Sequence, residues 1–121
     1  MEEMIEILKK QYEIYQEILK ISEKKTDIVV KDKVEELKDL VSSEEELIGQ
    51  FIVLEKRRLS IVKEFGQSKG ISGVLKIPQL CEYFPENKDE LMGLREDILS
   101  ITKKINEKNK LNEFRASLAK A

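Results

Sequence analysis

One stretch of the chain reads as a heptad ladder. Leu37, Leu40, Glu44, Leu47, Phe51, Leu54, Arg58, Ile61 and Phe65 follow one another at spacings that alternate three and four. Residues at that period fall on one stripe of an α-helix, and a largely apolar stripe of this length is stable only when other helices cover it. A second stripe at multiples of seven residues, Val34, Val41, Ile48 and Val62, widens the apolar face beyond a two-stranded seam. It predicts that this helix touches two neighbours.

The remaining sequence supplies the covering helices. Ile5, Leu8, Tyr12, Tyr15 and Leu19, with Ile7, Ile14, Ile18, Ile21 and Ile28 on an adjacent stripe, predict a helix over about residues 1–30. Asp32, followed three residues later by Glu35, has the pattern of a capping box, so a tight antiparallel return leads into a second helix over about 33–65. The interior Gly49 costs that helix roughly 1 kcal/mol relative to Ala without ending it. Gly66, Gly70 and Gly73, with Ser68 and Ser72, then break the period. Pro78 opens PQLCEYF, where its fixed φ suits a first helical turn, and Pro85 closes it. The loop and short helix occupy 66–86, with Leu80, Tyr83 and Phe84 expected to plug one end of a bundle. Asn87 and Glu90 repeat the capping pattern at the start of a last helix over about 88–119, whose seam is Leu91, Leu94, Ile98, Ile101 and Ile105.

Rods of this length span about 45–50 Å each at ~1.5 Å per residue, so three can bury most of one another. The fold class is therefore all-α: an antiparallel bundle of three long, coiled-coil-like helices with a short linker helix. The 121 residues form a single domain, too short for two cores. Past Ile105 the pattern changes. The next seam positions are Lys108, Asn112 and Arg115, while Leu111, Phe114 and Leu118 move to a rotated face that the bundle leaves over. Asn106, Asn109 and Asn112 form a polar row in a helix that disfavours Asn. Such a row is either a solvated face or one that hydrogen-bonds a partner segment or fixes helix register.

Composition narrows the functional classes. With 22 Lys and Arg against 24 Asp and Glu, the net charge of −2 gives no electrostatic reason to expect nucleic acid or an anionic membrane as partner. Lys56, Arg57 and Arg58 make a short cluster after Glu55, read as helix surface. The start, MEEMIEILKK, lacks the features of a signal peptide, and the longest apolar run, Phe51 to Leu54, is far short of the ~20 residues a bilayer requires. A cytoplasmic protein without membrane insertion is expected. Cys81 is the single cysteine and no His is present, so a multi-cysteine metal site is excluded and a zinc site would need carboxylates almost alone. Neutral-pH acid–base work would need a carboxylate or lysine with a strongly shifted pKa, and no cofactor is expected. Cys81 reads as a small buried hydrophobe and Glu44 to Glu46 as a solvated face. Leu94 to Ile98 resembles the start of the first helix of chorismate-mutase-like bundles, but no further Arg follows before Arg115. Neither GxxxxGK[ST] nor GxGxxG occurs. The chain does not read as an enzyme.

The order of features along nearly the whole chain resembles the FlgN family of cytosolic flagellar type III export chaperones. It rests on Asp32-x-x-Glu35-x-Leu37, Leu40-Val41, EEELI at 44–48, and Leu54-Glu55-Lys56-Arg57-Arg58. The Gly-containing linker with its Pro-led helix follows, then Leu94-Arg95, Asn106-x-x-Asn109, Leu111 and Ser117-Leu118. The resemblance implies a protein that is not an enzyme, binds hook-associated (hook-filament junction) proteins through its C-terminal helix, keeps them export-competent and delivers them to the export gate. Carried onto this sequence, it implicates Asn106, Asn109, Leu111, Phe114 and Leu118 in client binding, where the seam also rotates away from the bundle. No Tyr follows Tyr83, so no residue is assigned to gate docking. The competing expectation is a structural coiled-coil or adaptor protein that closes a homodimer through the same face.

Overall fold

The computed structural model describes the backbone of residues 1–31 and 34–120 and the side chains of residues 1–28 and 35–109. Its helices are α1 (Glu2–Lys31), α2 (Val34–Ser68), α3 (Ile77–Tyr83) and α4 (Lys88–Lys120), with a 3-10 turn over Pro85–Asn87 leading into α4. Among the described residues there is no strand. The all-α architecture of three long helices and a short linker helix is the one the seams predict.

Side-chain pairs fix the directions. Lys9 meets Glu90 at 3.0 Å and Ser22 meets Asn109 at 3.2 Å, so α1 and α4 ascend together. Glu3 meets Arg57 and Lys25 meets Glu44, so α2 runs against α1. The bundle is up–down–up.

α1 stands in the middle. It packs along α2 and along α4, whereas α2 and α4 bring no Cα pair within 8 Å of each other among the described residues. α2 thus has one long neighbour at backbone distance, α1, and its second neighbour is the plug, which Val62 and Phe65 meet at one end. The physical reason lies in α1, which is covered over a wide arc: Met4, Ile5, Ile7, Leu8, Ile14, Ile18 and Ile21 are all nearly inaccessible, and Tyr12, Tyr15 and Leu19 are half-buried. A rod apolar over so wide an arc takes a neighbour on each side. The second stripe of α2 is then left open, with Val41 and Ile48 exposed and only Val62 buried; the side chain of Val34 lies outside the described residues.

Two core clusters follow the rods. One, at the end where α1 begins, joins Met4, Ile5 and Leu8 to Val62, Leu75, Leu80, Cys81 and Leu91. The other joins Ile14 and Ile18 to Ile101 and Ile105, with Leu47, Phe51 and Leu54 packed against them. The first is closed by the plug expected from the linker: Leu80 is fully buried, and the Phe65 ring meets Tyr83 at 5.3 Å and Phe84 at 5.0 Å. Cys81 is buried beside them.

Gly66 does not break α2, which runs on to Ser68. The helix ends in a Schellman motif, with the Ile71 N–H donating to Gly66 O at 2.8 Å and the Gly70 N–H to Gln67 O at 3.1 Å. Gly70 sits at φ 70°, the left-handed conformation this cap needs, and Ile71 and Phe65 both pack on the core beneath. Asn87 closes the 3-10 turn, its N–H bonded to Phe84 O, and α4 continues directly from it. The capping pattern expected at Asp32 lies outside the described residues.

Leu91 is fully buried where the plug, α1 and α4 meet. Leu91→Ala should therefore cost about 2–5 kcal/mol, whereas Ile52→Ala, on the open side of α2, should stay within about 0.5 kcal/mol, both read from urea unfolding.

Candidate functional site

Because α2 and α4 stand apart, a groove of about 310 Å³ opens between them, floored by α1. Leu8 and Tyr15 form the floor, Phe51 the α2 wall, and Ile98 and Leu99 the α4 wall, while Lys76 and Ile77 close the plug end. The Tyr15 and Phe51 rings lie 4.6 Å apart, tilted at 45°. Burial pushes the Tyr15 phenol above its ordinary value, the Thr102 hydroxyl beside it works the other way, and the Glu55 carboxylate adds to the rise.

One polar network lines the groove where α1 meets α2. Gln11, 2% exposed, donates from Nε2 to Glu55 Oε2 at 2.8 Å. Arg58 donates to the same carboxylate from Nε at 3.0 Å and from its terminal nitrogen. The Arg58 hydrogen bonds hold the Glu55 carboxyl below its ordinary value against the opposing effect of burial, and Gln11 helps. Arg58 occupies a seam position because this carboxylate, one turn earlier on α2, neutralises it there. Arg57 instead forks onto Glu3 of α1 at 2.6 and 3.0 Å. The basic cluster read as plain surface is thus divided: Lys56 is exposed, Arg57 clasps α1 and Arg58 lines the groove.

Polar residues also organise the other end. Lys25 reaches Glu44 at 3.0 and 2.9 Å with both side chains mostly covered, so Glu44 bridges α1 and α2 while Glu45 and Glu46 face solvent. The Ser22 hydroxyl donates to Asn109 Oδ1, and Thr26 donates to Ser22 O at 3.1 Å. α1 supplies small polar residues at this level, and Asn109 of α4 meets them.

Of the residues singled out from sequence, Asn109 is half-buried between α1 and α4, and Asn106 is exposed. Leu111, Phe114 and Leu118 lie on the helical backbone of α4, with side chains outside the described residues. The structure therefore brings none of these five together as a described surface. The groove between α2 and α4 was missed. Its signal was present in part: Val41 and Ile48 were placed on a second stripe, but Ile52 and Leu59, which continue it at spacings of four and seven, were not. Two further clefts flank α1, one of about 460 Å³ against α4 around Tyr12 and Lys104 and one of about 510 Å³ against α2 around Ile14 and Val53.

Reactive chemistry is sparse. Among the described residues no three His, Cys, Asp or Glu side chains gather where they could hold a metal ion. No described helix is long and apolar enough to cross a membrane. Fold and surface together define an all-helical bundle that presents apolar faces and grooves. The FlgN protein family matches residues 1–119, and the chain belongs to that family. Its members are flagellar export chaperones, a family of binding proteins and not of enzymes. Comparison with curated proteins gives no match, and comparison with solved structures gives none.

The Glu55 network sets a pH dependence. Its folded carboxyl titrates below the ordinary 4.5, so its contribution is fully present above that value and is lost as pH falls through the lowered one. The stability gap between the native protein and Glu55→Gln should be widest near neutral pH and should shrink below about pH 4.5, in urea-unfolding midpoints measured from pH 7 to 3.

Proposed function

We propose that this chain is a cytoplasmic chaperone of the bacterial flagellar type III export system. In this reading it binds hook-associated proteins through its C-terminal helix, keeps them export-competent and hands them to the export gate. The observation that carries the reading is the family match over residues 1–119, which spans all three long helices. The client-binding residues are Asn106, Asn109, Leu111, Phe114 and Leu118. Asn109 Oδ1 also accepts from the Ser22 hydroxyl, so in this reading Asn109 holds α4 on α1 beside the client as well as meeting it.

The energetics set the mode of binding. Burying Leu111, Phe114 and Leu118 yields roughly 4–9 kcal/mol at ~1.5–3 kcal/mol each, before the ordering cost of association is subtracted. That alone gives a weak complex. A stable one needs a client segment that folds as a helix along the bundle and approaches the ~800 Å² per partner of a standard interface.

Light scattering on the chain alone and with C-terminal segments of hook-associated proteins tests this. The expected result is a stoichiometric heterocomplex, and the variant carrying Leu111→Asp, Phe114→Asp and Leu118→Asp should lose it while keeping its helical circular dichroism. Unchanged binding by that folded variant would move the client site elsewhere. A tight homodimer indifferent to every client would instead mark a structural coiled-coil or adaptor protein.

A further inference from the structure

α2 carries a second seam that the bundle leaves uncovered. Val41, Ile48, Ile52 and Leu59 are exposed at 38%, 42%, 48% and 37%. Their spacings of seven, four and seven put them on one stripe about 27 Å long at ~1.5 Å per residue. A single exposed aliphatic residue is ordinary, but four in register beside a groove form an apolar stripe, interrupted by Glu45 between Val41 and Ile48 and by Lys56 between Ile52 and Leu59. The groove continues it inward through Phe51 and Tyr15 and up to Leu99 on α4, itself 54% exposed.

Charge says what would cover this track. Inside the groove Glu55 is neutralised by Arg58. Lys76 at the closed end and Arg95 on the α4 wall also line it, and among the described residues neither has a carboxylate partner. Lys56 and Lys63 lie four residues beyond Ile52 and Leu59, so they border the stripe on α2; both are exposed and likewise unpaired. Four uncommitted cations thus rim the plug half of the track in a chain whose net charge is −2. Glu45 borders the opposite half, between Val41 and Ile48.

We propose that the groove between α2 and α4, with the Val41–Ile48–Ile52–Leu59 stripe, docks an amphipathic helix of another protein whose apolar face is flanked by Asp and Glu toward the plug end. The apolar track supplies contact area in the helix-in-groove manner, and the cations select the sign of the occupant's flanks. The site lies on α2 and the first third of α4, apart from Leu111, Phe114 and Leu118. It stands whether or not those residues hold a client.

Two fluorescent 21-residue synthetic helices test it, identical in their Leu and Ile heptad core and flanked by Glu in one and by Lys in the other. In fluorescence anisotropy at low salt, the Glu-flanked helix should bind the full chain at least tenfold more tightly than the Lys-flanked one. Ile52→Asp with Leu99→Asp, both on exposed side chains, should weaken that binding at least tenfold with unchanged circular dichroism. Lys56→Glu with Arg95→Glu should invert the preference between the two helices, and the triple Asp variant at Leu111, Phe114 and Leu118 should leave it unaltered. Failure of either helix to bind, equal affinity for both, or binding indifferent to Ile52 and Leu99 would overturn the proposal. So would a two-chain mass in light scattering that Ile52→Asp abolishes, since a second copy would then cover the stripe.

Discussion

The two-sided burial of α1 is the constraint on which the rest depends. Among the described residues α2 and α4 have no close backbone contact with each other along the rods, so each is held in place mainly through its own packing on α1, and at one end on the plug. Ile14 and Ile18 meet Ile101 and Ile105 from α4 and are backed by Leu47, Phe51 and Leu54 from α2. Hydrophobic burial has no direction of its own, and two rods that each cover a third need not cover one another. The splay between α2 and α4 follows from that, and with it the groove. Only at the plug end do all elements converge, where α3 and the loop bring Leu75, Leu80 and Cys81 over Met4, Val62 and Leu91.

Aliphatic seams tolerate sliding, since Leu against Ile one turn further on is nearly as good. The polar contacts remove that freedom. Gln11 with Glu55, Lys25 with Glu44 and Ser22 with Asn109 are half-buried pairs that would each lose a partner if a rod shifted by a turn. They sit at two levels along α1, Gln11 at one and Ser22 with Lys25 at the other, and act on both of its neighbours. Register is therefore set by a few hydrogen bonds laid across a largely nonspecific hydrophobic contact, in the way a single buried Asn sets register in a coiled coil.

A chaperone of this family acts by presenting surface, and the arrangement of the chain suits that task. Its reactive inventory is small: one buried thiol, no His, and carboxylates committed to Lys and Arg where they are covered. Among the described residues the surface it offers is instead the exposed apolar stripe of α2 beside the groove, with the Lys and Arg that border it.

The sequence by itself determined that the chain forms three long helices, a Gly-broken linker and a Pro-led short helix, because helical period, glycine and proline act locally. It also carried the family, through order and spacing over the whole length. The plug of Leu80 and Phe84 was legible for the same reason: an apolar cluster on a short linker has one end of the bundle within reach. What the tertiary structure alone decided was which rod stands in the centre. Both α1 and α2 carry two stripes, and periodicity shows that a face is apolar without showing whether a neighbour is left to cover it. The wider stripe of α1 won both neighbours, and the second seam of α2 became open surface. The same holds for Glu44, Arg58 and Asn109, which look like surface residues in one dimension. Glu44 and Asn109 are drawn between helices by partners 19 and 87 residues away that only the folded chain sets side by side, while Arg58 pairs with Glu55 on its own helix and the fold sets both against Gln11 of α1.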